Sequence, residues 1–67
     1  MHSWADLCYL TTIIAAHYKN PPAYSLLRCW AVRYAWPKRK QHGRVCYPVA
    51  TVLATLLSHG YEARDAA

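Results

Sequence analysis

Acidic side chains are scarce in this sequence, which has three of them against eight lysines and arginines and a formal net charge of +5. The three acids are Asp6, Glu62 and Asp65, so residues 7–61 carry only positive charge. The folded body therefore has few internal ion pairs with which to neutralise itself. A surface with a positive electrostatic potential favours a polyanionic partner.

Long apolar runs are also absent. The longest run without a charged residue or a histidine, residues 45–58, is shorter than the roughly 18 to 20 residues that span a bilayer, so we expect no membrane span. Residues 1–18 contain an acid but no lysine or arginine, a composition that does not fit a signal peptide. We expect a protein that acts in the cytoplasm, without a membrane partner.

Cysteine is limited to Cys8, Cys29 and Cys46, which are widely spaced and flanked by bulky side chains. This distribution favours buried free thiols in a reducing compartment. The three cysteines and the four histidines form neither a Cys-x-x-Cys nor a His-x3-His pair. We therefore expect no metal site and no cofactor.

Cys46 is the residue that could indicate an enzyme, as a catalytic nucleophile. With Ala50, Leu53, Leu56-Leu57 and Gly60 it resembles the nucleophile helix of transglutaminase-like cysteine enzymes. Only seven residues follow Gly60, too few for the strands on which that family places its histidine and acid. Because an unassisted thiol is poorly activated, and because so short a chain has little room for a catalytic cavity, we expect no enzyme.

Two helices are predicted in the first half of the chain. The first has Thr11 or Thr12 as its N-cap and ends near residues 19–20, before the Pro21-Pro22 turn. The second begins around residues 23–25 and ends near residue 34. Its apolar stripe consists of Leu27, Trp30, Ala31 and Tyr34. Its opposite side carries Tyr24, Ser25, Arg28 and Val32, with Arg33 near the boundary.

Trp36-Pro37 ends the second helix, and a basic stretch follows it. Gly43 suits a left-handed turn, so residues 38–47 predict a small β-hairpin. Lys38, Arg39 and Lys40 are expected to bind phosphates, the alternative being an ordinary solvated loop. A third helix is predicted to begin at Pro48 and to end at Gly60. Its apolar face consists of Val49, Val52, Leu53, Leu56 and Leu57.

These elements predict a mainly α fold with a small β-hairpin, arranged as a winged helix-turn-helix. One domain is expected to occupy residues 1–67, with an N-terminal extension at 1–8 and a short frayed tail at 61–67. Trp30 and Trp36 are expected to be core residues, the alternative being aromatic platforms that stack on bases.

An ordered series of short motifs resembles the phage excisionases and the wider group of MerR-like DNA-binding domains. The resemblance covers residues 9–57. The motifs are Tyr9-Leu10-Thr11, Pro21-Pro22, Leu27-Arg28-Cys29-Trp30, Trp36-Pro37, His42-Gly43-Arg44 and Tyr47. In that family the second helix enters the major groove, and the wing lies on the DNA backbone or in the minor groove.

The resemblance implies that Ser25 and Arg28 face the groove, that Arg33 contacts a phosphate or a base, and that Arg44 is the wing contact. Cys29 stands where relatives often have a second arginine, and Val32 where a polar or basic contact is frequent. Base-edge contacts are therefore expected to be few. The complete expected DNA-binding set is Tyr24, Ser25, Arg28, Arg33, Lys38, Arg39, Lys40 and Arg44.

The function implied by the resemblance is that of an excisionase, or recombination directionality factor. Such a protein binds and bends double-stranded DNA and directs a tyrosine-family integrase toward excision of a phage or mobile element. It is also expected to self-associate on repeated sites and to regulate transcription. A plain transcriptional regulator or a terminase-type DNA-binding domain is one alternative. A small basic structural subunit of a ribonucleoprotein or membrane assembly is another.

Overall fold

Six elements follow one another along residues 4–64, the part of the chain that the computed structural model describes. They are β1 (Trp4–Asp6), α1 (Leu7–His17), α2 (Tyr24–Arg33), β2 (Arg39–Gln41), β3 (Arg44–Pro48) and α3 (Val49–Ser58). The protein is thus a small mixed α/β structure of three helices and one antiparallel sheet. Within residues 4–64, no helix combines the length and the apolar character that crossing a membrane requires.

The sheet has the strand order β1-β3-β2, with both strand pairs antiparallel. A two-residue loop, His42-Gly43, joins β2 to β3, and both of its residues have positive φ, 51° and 78°. Positive φ at both central positions is the signature of the hairpin turn whose twist matches that of the strands. The hairpin predicted from Gly43 is confirmed.

Strand β1 was not expected, and the prediction of an extension at residues 1–8 is wrong for residues 4–8. Ala5 pairs with Tyr47 on β3 and is buried, and helix α1 already begins at Leu7, which is also buried. A strand of three residues is too short to show an alternating pattern in sequence, so its pairing partner decides whether it forms. Residues 1–3 of the predicted extension lie outside the described residues.

Helix α1 begins at an acidic cap rather than at a threonine. Asp6 Oδ1 accepts a hydrogen bond of 2.8 Å from the Tyr9 backbone N–H, which satisfies one of the free donors of the first turn. Thr11 and Thr12 lie inside the helix, where their hydroxyls donate to the carbonyls of Leu7 and Cys8. The predicted N-cap at Thr11 or Thr12 is therefore wrong, because Asp6 caps the helix earlier.

The first helix also ends earlier than expected, at His17, because the next residue is extended. Tyr18 forms an isolated antiparallel bridge with Ala63, supported by a 2.9 Å bond from the Lys19 N–H to the Glu62 carbonyl. Tyr61 packs partly buried against the core. The frayed tail predicted at residues 61–67 is thus wrong for 61–64, while residues 65–67 lie outside the described part.

Helices α2 and α3 end in the same pattern of hydrogen bonds. After α2, the Trp36 N–H bonds to the Ala31 carbonyl and the Ala35 N–H to that of Val32. After α3, the Tyr61 and Gly60 N–H groups bond in the same way to Leu56 and Leu57. Such a C-terminal motif requires a left-handed residue in its middle. That residue is Gly60 (φ 84°) in one case and Ala35 (φ 50°) in the other.

One apolar core joins the helices to the sheet. Its buried members are Ala5, Leu7, Leu10, Ile14, Leu27, Trp30, Ala31, Trp36, Val52 and Leu56. Two side chains predicted for the apolar faces are instead exposed: Tyr34 (45%) and Leu57 (76%). Tyr34 is the C-cap of α2, where the helical spacing ends, and Leu57 lies one position beyond the buried Leu56, turned about 100° around the helix.

The paired helix ends generate a stability prediction. Gly60→Ala should lower the free energy of unfolding by about 1 kcal/mol, because an L residue is strained in the left-handed region. An added Cβ at Gly60 meets no atom within 4 Å, so the effect comes from the backbone alone. Ala35→Gly should raise the free energy of unfolding, by up to about 1 kcal/mol. Denaturant titration measures both, and shifts of the same sign would contradict this account.

Candidate nucleic-acid interface

The outward face of α2 is a shallow groove. It is lined by Ser25, Arg28, Cys29, Val32 and Arg33. All five are exposed, and Val32 is 83% exposed. The opposite side of the helix buries the predicted core residues Leu27, Trp30 and Ala31, so the expected rotation of α2 is confirmed. A helix of 10 residues is about 15 Å long, a size that a DNA major groove accommodates.

Tyr24 is the first residue of α2 and is 42% exposed. It does not line the groove that holds Ser25 and Arg28. The helix begins after Ala23, whose side chain forms no capping hydrogen bond. Tyr24 therefore stands at an end of α2 where backbone N–H groups lack side-chain partners.

The hairpin approaches α2 at the C-terminal end of that helix. One cavity is lined by Ala31, Val32, Ala35, Trp36, Lys38 and Tyr47. Val32 belongs to both this cavity and the groove on α2, so the two depressions adjoin. Lys38 is thereby brought beside the outward face of α2. Neither depression is lined by an acidic residue.

The basic residues of the hairpin do not form one surface. Arg39 pairs with Cys46 and Gln41 pairs with Arg44, whereas Lys40 pairs with Val45. Side chains of paired residues share a face of the sheet, and successive residues alternate between faces. Arg39 and Arg44 therefore lie on one face, and Lys40 on the other. Residues 38–40 are consecutive basic residues in the sequence, but the alternation of side chains along β2 places Arg39 and Lys40 on opposite faces of the sheet.

Both hairpin arginines contact strand β1. The guanidinium carbon of Arg39 lies 4.2 Å from the centroid of a Trp4 ring, within range of a cation–π interaction. An Arg44 nitrogen lies 3.4 Å from Asp6 Oδ2 and forms an ion pair with it. Sequence reasoning missed Trp4 and Asp6 because it placed them outside the fold.

The cysteines occupy different environments. Cys46 is buried, as predicted, but Cys8 and Cys29 are exposed, so the expectation that all three are buried is wrong. Cys29 lies on the outward face of α2, one position before the buried Trp30. Bulky neighbours in sequence therefore did not indicate burial.

Across residues 4–64, no three His, Cys, Asp or Glu side chains are grouped so that they could hold a metal ion.

The two tryptophans near α2 are enclosed by the fold, each being 4% exposed. The Trp30 ring stacks on His59, with centroids 4.5 Å apart, and the Tyr34 hydroxyl lies 2.9 Å from His59 Nε2. Trp36 Nε1 donates a 3.1 Å hydrogen bond to Thr55 Oγ1. Burial of both rings supports core roles for them and disfavours the alternative of base stacking. The contacts of His59 were not foreseen, since they depend on how α3 ends.

Comparison with known proteins identified no relative: no family model, no curated protein and no solved structure matches this chain.

The burial of Trp30 generates a second prediction. Trp30→Ala should lower the free energy of unfolding by about 3 to 5 kcal/mol, comparable to the whole stability of a small domain. Val32→Ala, on the exposed side of the same helix, should change it by no more than about 0.5 kcal/mol. Thermal melting followed by circular dichroism measures both. A Trp30→Ala protein with an unchanged melting temperature would contradict the assignment of Trp30 to the core.

Proposed function

We propose that this chain is a winged-helix DNA-binding protein that places α2 in the major groove and the β2–β3 hairpin beside it. The observation that carries the proposal is an acid-free surface on which the exposed face of α2, with Arg28 and Arg33, adjoins Lys38, at the start of the hairpin segment, through Val32. Phosphate charge dominates the affinity of proteins for DNA, and such a surface matches that charge.

The connectivity supports the same proposal. Helices α1 and α2 are joined by a short turn, residues 18–23, and pack against each other. The hairpin follows directly after α2, and β1 pairs with β3, which leaves β2 as an edge strand. In this arrangement the hairpin is the wing and α2 is the recognition helix.

The proposed roles of the residues follow from their positions. Arg28, in the middle of α2, makes paired hydrogen bonds to guanine O6 and N7, while Tyr24 and Ser25 contact DNA at the start of that helix. Arg33 binds a phosphate at the other end of α2. The hairpin residues bind phosphates or the minor groove and therefore add affinity rather than sequence preference. They are Lys38, Arg39, Lys40 and Arg44.

Within this class we propose the narrower role of an excisionase, which rests on the motif resemblance. The protein acts in the cytoplasm of a bacterial host, bends DNA near an attachment site and directs a tyrosine-family integrase toward excision, with cooperative self-association on the DNA. Footprinting and bending assays on flanking genomic DNA, and an adjacent integrase gene, test this role. Binding without bending or an effect on recombination would favour a transcriptional regulator or terminase-type domain.

A structural subunit of a larger assembly is the alternative from another class. Such a subunit would be disordered in isolation, whereas the proposed DNA-binding domain folds alone. Circular dichroism of the isolated chain separates the two. A random-coil spectrum that becomes ordered only with a protein or RNA partner would favour the subunit.

The charge of the interface generates a third prediction. Binding to duplex DNA should weaken steeply with salt, with a log–log slope of about −4 to −5 for about five phosphate contacts. Fluorescence anisotropy with a labelled duplex at several salt concentrations measures the slope. A flat salt dependence would contradict nucleic-acid binding.

A fourth prediction separates the helix from the wing. Arg28→Ala should reduce discrimination between a cognate and a scrambled duplex by about 1 to 3 kcal/mol. Arg44→Ala should weaken binding to both duplexes alike, because phosphate contacts carry no base information. Lys19→Ala, which removes the same charge beside Glu62 and away from the hairpin, is the matched control.

The pattern of losses decides the assignment. If Arg44→Ala abolishes sequence preference and Arg28→Ala weakens all binding equally, the groove assignments are reversed. If both variants bind like the Lys19→Ala control, the winged-helix proposal fails.

A further inference from the structure

Asp6 is held in a defined orientation by the start of α1. Its Oδ1 accepts the 2.8 Å hydrogen bond from the Tyr9 N–H, and this leaves Oδ2 directed at Arg44, 3.4 Å away. The Asp6 side chain is 22% exposed and that of Arg44 is 67% exposed. The carboxylate is therefore ordered by the helix cap, while the guanidinium remains accessible to a ligand.

The two acids of residues 4–64 occupy different parts of the fold. Asp6 faces the hairpin, in a cavity that it shares with Gln41, His42 and Arg44. Glu62 instead lines the cavity formed by the start of α2 and the chain after α3. Only Asp6, within this described range, has an ion pair with a residue of the proposed interface.

We propose that Asp6 limits the DNA affinity of the wing by competing with phosphate for Arg44. The inference rests on the proposed DNA-binding function. In the free protein the Asp6 carboxylate holds the guanidinium; on DNA a phosphate takes its place, and the cost of breaking the ion pair is subtracted from the affinity. Asp6 thus acts through Arg44, as a positioning residue that does not touch DNA itself.

The test removes the charge and keeps the cap. Asn is as good an N-cap as Asp, so Asp6→Asn should preserve α1 and the melting temperature. Asp6→Ser, also a good N-cap, gives a second neutral variant in case the first perturbs folding. Glu62→Gln changes the net charge by the same amount away from the hairpin and is the matched control.

Anisotropy titrations of one labelled duplex at one salt concentration measure the effect. Asp6→Asn should bind about two- to five-fold more tightly than Glu62→Gln, the range expected for release of an exposed ion pair. In an Arg44→Gln background, the additional gain from Asp6→Asn should disappear, leaving only the general effect of one added charge.

Each other outcome has a distinct meaning. Equal affinities of Asp6→Asn and Glu62→Gln would overturn the competition, because the effect would then be one of net charge alone. A gain that persists in the Arg44→Gln background would also overturn it, because the effect would then not act through Arg44. Binding of DNA by none of the proteins would overturn the proposed function, and with it the role of Asp6. DNA binding by the unaltered chain together with equal variants would overturn only the role of Asp6.

Discussion

The packing of Trp30 against the core determines how α2 is presented. With Leu27 and Ala31 it forms the buried side of the helix, and its ring is covered by His59 at the end of α3. Because residues on a helix have fixed angular positions, burial of this side directs Ser25 and Arg28 outward. The candidate interface therefore depends on an apolar contact to which its charged members contribute nothing.

The second constraint is the left-handed residue after α2. Ala35 turns the chain so that Trp36 enters the core and Lys38 emerges beside Val32. The same motif ends α3 at Gly60, where glycine adopts the conformation without strain. Alanine at residue 35, with a φ of 50°, places some strain at the junction between the helix and the hairpin.

Strand β1 connects helix α1 with the two arginines of the hairpin. Its backbone pairs with β3, and its side chains reach both hairpin arginines, Trp4 beneath Arg39 and Asp6 beside Arg44. Asp6 also caps α1, so a single carboxylate connects the first helix with the wing. A change at Asp6 therefore acts on helix stability and on the charge of the hairpin, which is why substitutions that keep the cap are informative.

The sequence by itself determined the three helices, the bounds of α2 to within a residue or so, the hairpin turn at Gly43 and the exposure of Arg28. These features follow from local rules, namely helical periodicity, proline and glycine conformations, and the scarcity of acids. Tertiary structure alone decided the place of β1 and the pairing of Asp6 with Arg44. Both depend on the pairing of β1 with β3, which are distant in sequence and whose register no local pattern of three residues can specify.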